Sequence, residues 1–126
     1  MKKMLLLVGF GLMLVSFSPQ PNIDAIVQSF KSANAEKVAA YFDDYIDMKL
    51  LDKDEVKNIG RTQAGIALKS FFADNGVKGF DKLSDRELGN TMYLTGKLTG
   101  GAKSYNITVM LKLKDGKHQI ITIRIS

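Results

Sequence analysis

Residues Thr91 to Ile125 read TMYLTGKLTGGAKSYNITVMLKLKDGKHQIITIRI, and the rest of the architecture is built around this segment. Apolar and polar side chains alternate along it, the period of strands with one buried face. Gly100-Gly101 and Asp115-Gly116 interrupt the alternation with residues that accept positive φ, as two-residue hairpin turns require. Three strands are therefore expected, Thr91–Thr99, Lys103–Lys114 and Lys117–Ile125, joined as an antiparallel meander. Tight turns would set the register. Across the first, Gly96 faces Tyr105, Leu94 faces Ile107 and Met92 faces Val109. Across the second, Leu113 faces His118, Leu111 faces Ile120 and Val109 faces Thr122. One face then carries Met92, Leu94, Leu98, Tyr105, Ile107, Val109, Leu111, Leu113 and Ile120, a core face for helices to cover. Gly96 opposite Tyr105 suits a sharply bent sheet, with the ring lying over bare backbone.

The same register puts Thr122 and Arg124 on the inner face. It puts Tyr93, Thr95, Thr108, Met110, Ile121, Ile123 and Ile125 on the outer one. Burying an isoleucine is worth about 1.5–3 kcal/mol, so three left together in water are costly. Contiguous apolar patches usually mark an interaction site. The expectation is a homodimer through this outer face. Two alternatives stay open. A β-bulge near Thr122 would reverse the last strand, bury the isoleucines within one chain and turn Arg124 outward. Or the patch would meet a different protein.

Upstream, Ile23, Ile26, Val27 and Phe30 fall on one helical stripe, and Val38, Ala39 and Phe42 continue it beyond Asn34. Asn34 is a good N-cap, and Glu36 follows where a negative charge suits the helix dipole. Two helices, or one bent helix, are expected over residues 23–43. Tyr45 to Leu51 alternates as a half-buried strand, Asp52-Lys53-Asp54 turns, and Glu55 to Ile59 pairs back before Gly60. Thr62 can cap the next helix, whose buried face is Ala64, Ala67, Leu68, Phe71 and Phe72. Asn75-Gly76 stops it, because both residues accept the left-handed conformation. Val77 to Leu83 is a strand candidate, and Ser84 to Asn90 reads as a polar loop.

The chain opens Met1-Lys2-Lys3, a short positive segment, and an uncharged apolar run follows from Met4 to Val15. Ser16-Phe17-Ser18 places small residues where a signal peptidase reads them, and Pro19-Gln20-Pro21 breaks any helix. The expectation is a signal peptide over residues 1–18, cleaved near Ser18, and a single domain over 19–126 that works in the periplasm or outside the cell. A spanning helix needs about 20 apolar residues, more than this run offers, so no transmembrane anchor is expected in the mature protein. The sequence contains no cysteine. Disulfides, thiolate metal sites, cysteine nucleophiles and a lipid-bearing cysteine are therefore excluded. Without Lys2 and Lys3, the 18 basic residues become 16 against 13 acidic ones. The balance is uneven: 8 acidic and 4 basic residues lie between Asp24 and Glu55, and 5 acidic and 12 basic from Val56 onward. Lysines on solvated strand edges account for this asymmetry, since they discourage edge-to-edge pairing. Export weighs against nucleic acid as a partner.

The order helix, helix, strand, strand, helix, strands resembles the cone-shaped nuclear-transport-factor-2-like superfamily. Within it, the chain resembles the secreted bacterial family catalogued as domain of unknown function 4783. The resemblance is carried by Arg61-Thr62-Gln63-Ala64-Gly65-Ile66-Ala67-Leu68-Lys69-Ser70-Phe71-Phe72-Ala73-Asp74-Asn75, by Tyr93-Leu94-Thr95-Gly96-Lys97-Leu98 and by Ile120-Ile121-Thr122-Ile123-Arg124-Ile125. It spans Ile23 to Ser126. It implies an α+β fold in which N-terminal helices pack on a strongly curved antiparallel sheet ending in the three-strand meander. It also implies pairing through the outer sheet face, as superfamily relatives often do. Enzymes of the superfamily, such as ketosteroid isomerase and the polyketide cyclases, place a catalytic aspartate or histidine in the cone. The family itself has no assigned activity.

Enolisation chemistry needs an acid or base with a tuned pKa in an apolar pocket. His118 lies near a hairpin tip and reads as an exposed edge histidine. Asp43, Asp44 and Asp47, near Tyr41 and Tyr45, read as solvated turn residues. Arg124 and Thr122 on the inner face could anchor an anionic ligand at the mouth of the cone, with Tyr45 beside them, or Arg124 could form a structural ion pair with one of the helix acids. One histidine and no carboxylate cluster at ligand spacing point to no metal and no cofactor. The expected function is an exported, non-catalytic module that binds a small molecule or a protein through the cone pocket or the sheet face. The alternative is a small isomerase- or cyclase-like enzyme with an acid–base residue in the cone. An enzyme needs a buried acid or base with a partner; a binding module needs only an apolar pocket and a polar anchor.

Overall fold

The computed structural model describes residues 22–126; the expected signal peptide lies outside the described residues. Helices α1 (Ile23–Lys31) and α2 (Ala35–Ala39) come first, then strands β1 (Phe42–Leu50) and β2 (Val56–Gly60). Helix α3 (Arg61–Asp74) follows, and four strands complete the chain: β3 (Gly79–Leu88), β4 (Thr91–Thr99), β5 (Tyr105–Lys114) and β6 (Lys117–Ile125). The six strands form one sheet in the order β2-β1-β6-β5-β4-β3. Every neighbouring pair is antiparallel except β1 and β6, which run parallel. The helices pack on the inner face, so the architecture is the expected α+β cone with an open sheet. Among the described residues no helix is long and apolar enough to cross a membrane.

The stripes of α1 and α3 form largely as their spacing predicts, but Phe42, expected on a helix, opens β1, and Ala67 is only half-buried. Ile23, Ile26, Val27 and Phe30 of α1 are buried, as are Ala64, Leu68, Phe71 and Phe72 of α3. The Asn34 side chain accepts from the Lys37 N–H at 3.0 Å and caps α2. Asn75 ends α3, and Gly76 follows at φ +64°. The expected cap at Thr62 is not used: α3 starts two residues earlier than that cap implies, behind Gly60, with no side-chain cap, and Thr62 sits inside the first turn. β1 begins at Phe42, earlier than the alternation from Tyr45 indicated.

The sheet departs from the expected register in three places, each for a packing reason. First, Gly100-Gly101 is not a two-residue turn. Leu98 faces Tyr105, Gly96 faces Ile107 and Leu94 faces Val109, a slip of two residues that keeps every side chain on its expected face. The glycines serve close approach instead. A Cβ on Gly101 would lie 2.3 Å from the Asn75 carbonyl oxygen, and one on Gly100 would lie 2.7 Å from the Lys78 backbone nitrogen. Gly96 likewise is covered by Phe80 rather than Tyr105, since a Cβ there would sit 2.4 Å from that ring. Second, Ser84 to Leu88 is strand, not loop. It pairs with β4 as far as Leu88 opposite Thr91, with Leu83 as an extra residue between Lys82 and Ser84. The polar side chains that suggested a loop belong to an exposed edge strand, where a ladder needs no apolar face.

The third departure decides the core. Lys114 faces Lys117 and Leu111 faces Ile120 as expected, but Met110 faces Thr122, leaving Ile121 as an extra residue. Beyond this bulge the alternation of β6 inverts. Ile123 and Ile125 are buried, with Ile120, against the helices, and Arg124 is exposed. The expectation that Ile123 and Ile125 lie on the outer face, with Arg124 on the inner one, is thereby corrected. Energetics select the bulge. It disrupts one ladder position, whereas regular alternation would expose two isoleucines, at about 1.5–3 kcal/mol each, and bury a guanidinium at several kcal/mol. Phe30, Phe42, Phe71, Phe72, Leu94, Ile107, Val109 and Leu111 join the isoleucines in one continuous core.

Candidate functional site

The inner face of the sheet is filled by apolar side chains. Among the described residues, the buried polar ones are Ser29 and His118. The Ser29 hydroxyl donates to the Ile26 carbonyl at 2.6 Å. His118 is only 4% exposed, so its reading as an exposed hairpin histidine is corrected. It occupies the inner side of β6, and Asn22 closes over its backbone. The Asn22 amide donates to the His118 carbonyl at 2.8 Å and accepts from its N–H at 3.2 Å. This two-bond clip ties the start of α1 to the start of β6. His118 Nε2 lies 4.0 Å from a Glu87 carboxylate oxygen, and buried Nδ1 has no hydrogen-bond partner.

The proposed ligand anchors are not brought together. Arg124 points outward, as the bulge alternative requires, and its Nη2 donates to both oxygens of Glu55, in the turn before β2 rather than on a helix, at 3.1 and 3.3 Å. Thr122 is half-buried opposite Met110 and Asp47. Tyr45 is 64% exposed and lines a shallow cleft of about 490 Å³ with Asp44 and Arg61. The aspartates after α2 each have a structural partner. Asp44 pairs with Arg61 at 2.8 Å, and Asp47 accepts from the Asn58 N–H at 3.0 Å. Asp43 accepts from the Asp44 N–H at 2.8 Å and from Lys114 at 3.2 Å. That backbone bond, with the Lys114 ammonium, holds the Asp43 carboxyl below its ordinary value.

The outer face of the sheet has a different character. Tyr93, Thr95, Thr108, Met110 and Ile121 remain on it, all half-buried, with Thr122 added by the bulge. Of the seven residues expected at a dimer interface, these five keep their exposure; Ile123 and Ile125 do not.

A cleft that the sequence reading missed opens between α3 and the end of β1. Its volume is about 290 Å³. Leu50, Leu51, Ala67 and Phe71 form its apolar walls. Lys53, Ser70, Asp74 and Asn75 supply its polar groups. Its walls are held in place. Tyr105 stacks edge-on against Phe71 at 5.5 Å and donates its hydroxyl to Asn75 Oδ1 at 3.1 Å. Leu51 adopts φ +54° and donates its N–H to the Ile125 carbonyl at 2.8 Å. One sequence signal was available for this cleft: α3 ends on an acid with no base in its last turn, against the preference of a helix C-terminus.

Comparison with known proteins agrees with this architecture. A sequence model of the family described as Domain of unknown function (DUF4783) matches residues 23–126. The crystal structure of a member of that family from Bacteroides uniformis superposes with a TM-score of 0.75 at 18% identity, covering 82% of this chain and 94% of its own. A member from Bacteroides fragilis gives 0.70 at 24% identity, covering 79% and 92%. A nuclear-transport-factor-2-like protein of unknown function from Cytophaga hutchinsonii gives 0.56 at 11% identity, covering 80% and 81%. No curated protein matches the chain in sequence.

Proposed function

The chain belongs to the DUF4783 family, and from that premise we propose that it is an exported, non-catalytic binding module that pairs through the outer face of its sheet. The observation that carries the reading is the contrast between the two faces. The inner face is occupied by core side chains, while Tyr93, Thr95, Thr108, Met110, Ile121 and Thr122 form a half-exposed strip across β4, β5 and β6. Aromatic and methionine side chains favour interfaces because they offer apolar area with adaptable shape. The strip is smaller than the sequence suggested, since two isoleucines have left it. Export rests on the charged start, the short apolar run and Ser16-Phe17-Ser18 of the sequence.

Light scattering on the exported protein tests the reading, with intact mass reporting a start near Pro19. The expected result is a dimer that Met110→Lys converts to a folded monomer. A wild-type protein that stays monomeric at high concentration overturns the pairing. The second reading, an isomerase-like enzyme, has one observation in its favour: His118 is buried beside Glu87 with Nδ1 unpartnered. Proton exchange at the α-carbon of an enolisable ketone, abolished by His118→Gln, would support it over the first.

A further inference from the structure

We propose that the cleft between α3 and the end of β1 binds a small apolar zwitterion, of the class of apolar α-amino acids and their dipeptides. The last carbonyls of a helix carry partial negative charge, so a carboxylate there is disfavoured and a cation favoured. α3 nevertheless ends on Asp74, and its last turn holds no basic residue. Asp74 is exposed and takes part in none of the ion pairs or side-chain hydrogen bonds of the described residues, and the helix end is served instead by the Asn75 amide, which donates to the Phe71 carbonyl at 2.9 Å. A carboxylate left without a cationic partner at a helix C-terminus breaks a local preference, and such breaks are characteristic of functional positions.

Lys53 lines the same cleft and is equally without an ion pair. The two opposite charges therefore share a concavity without bonding to each other. The same cleft has apolar walls built from Leu50, Leu51, Ala67 and Phe71. At about 290 Å³ the cleft is just under the range of drug-sized ligand sites, about 300–1,000 Å³, which suits a small molecule. A molecule that complements it carries an ammonium for Asp74, a carboxylate for Lys53 and an apolar group for the wall. A neutral apolar molecule would leave both charges unmatched, and a singly charged one would leave one. The site is also preformed, which lowers the ordering cost of binding. Phe71 and Asn75 are braced by Tyr105, and the left-handed turn at Leu51 is tied to β6. Strained backbone held by its surroundings is common at such sites. The inference is independent of pairing through the outer face.

The test is calorimetric titration of the purified protein with L-leucine, L-leucyl-L-leucine, N-acetyl-L-leucine and L-leucinamide. Saturable binding is expected for leucine or dileucine, at least tenfold tighter than for either capped compound. Tighter binding of leucine assigns a free amino acid; tighter binding of dileucine assigns a peptide. Asp74→Asn should remove the preference for leucine over N-acetyl-leucine while keeping or raising the melting temperature, because the helix dipole is relieved. Lys53→Gln should remove the preference over leucinamide. The proposal is overturned if neither zwitterion binds, if a capped form binds as tightly, or if both variants bind leucine like the wild type.

Discussion

Replacing Ile123 by alanine tests the bulge on which the core depends. Ile123 is fully buried, paired with Val109 on β5 and Met48 on β1. Truncating a fully buried isoleucine costs about 2–5 kcal/mol, the upper part of the range applying where neighbours cannot collapse into the cavity. Ile123 sits between two paired strands whose ladders resist movement, so a loss of about 3 kcal/mol is expected from that range. A small domain has a total of about 5–15 kcal/mol. With a urea slope of about 1–2 kcal/mol per molar, the unfolding midpoint should fall by about 1.5–3 M. Two controls make the measurement specific. Ile121→Ala removes a half-buried side chain and should cost less, while Arg124→Ala removes an exposed one and should change the stability by no more than about 0.5 kcal/mol. Uninterrupted alternation along β6 predicts the reverse order, with Ile123→Ala nearly silent and Arg124→Ala disruptive. A midpoint for Ile123→Ala that hardly differs from wild type would refute the reasoning.

Three further outcomes follow from the geometry. Gly96→Ala should destabilise the domain by about 1–3 kcal/mol in urea unfolding, because its Cβ would lie 2.4 Å from both the Asp81 carbonyl oxygen and the Phe80 ring; an unchanged midpoint would show that β3 yields. Asn22→Ala breaks both bonds to the His118 backbone and should cost about 1–3 kcal/mol, with faster amide exchange in the first turn of α1 as its signature. Asp43 contributes to pH dependence with a definite sign. Its folded pKa is lowered from 3.8, so its contribution to stability is present above that value and is lost as pH falls through the folded one. Asp43→Asn should therefore flatten the acid limb of a stability–pH curve, and identical limbs would contradict the assignment.

Local signals carried much of the architecture, and their failures are physical. Asn34 and Asn75-Gly76 mark helix ends because capping is satisfied within a few residues. The apolar stripes of α1 and α3 mark their buried faces because a helix holds its own period. Gly100-Gly101 misled because glycine serves both tight turns and close approach, and only the position of Asn75 and Lys78 distinguishes them. The slip it caused was even, so the faces of β4 and β5 survived it. Ser84 to Leu88 misled because the edge of an open sheet does not demand apolar residues.

The sequence by itself determined the order of the elements, the inner faces of β4 and β5, the turn at Asp115-Gly116 and the absence of any cysteine chemistry. Each of these follows from neighbours in the chain or from composition. The tertiary structure alone decided which way β6 faces after Ile121, and with it the fate of Ile123, Ile125 and Arg124. Residues on both sides of the bulge are compatible with either phase locally. The choice lies in a comparison between burying two isoleucines and burying a guanidinium, made only when β1, β5 and the helices surround the strand. The same holds for the candidate sites. His118 is buried because it lies in phase with Ile120 on the inner side of β6, and Asn22, 96 residues away, closes over its backbone. Lys53 and Asp74 share a cleft because α3 lies across the end of β1, a proximity that no spacing along the chain encodes.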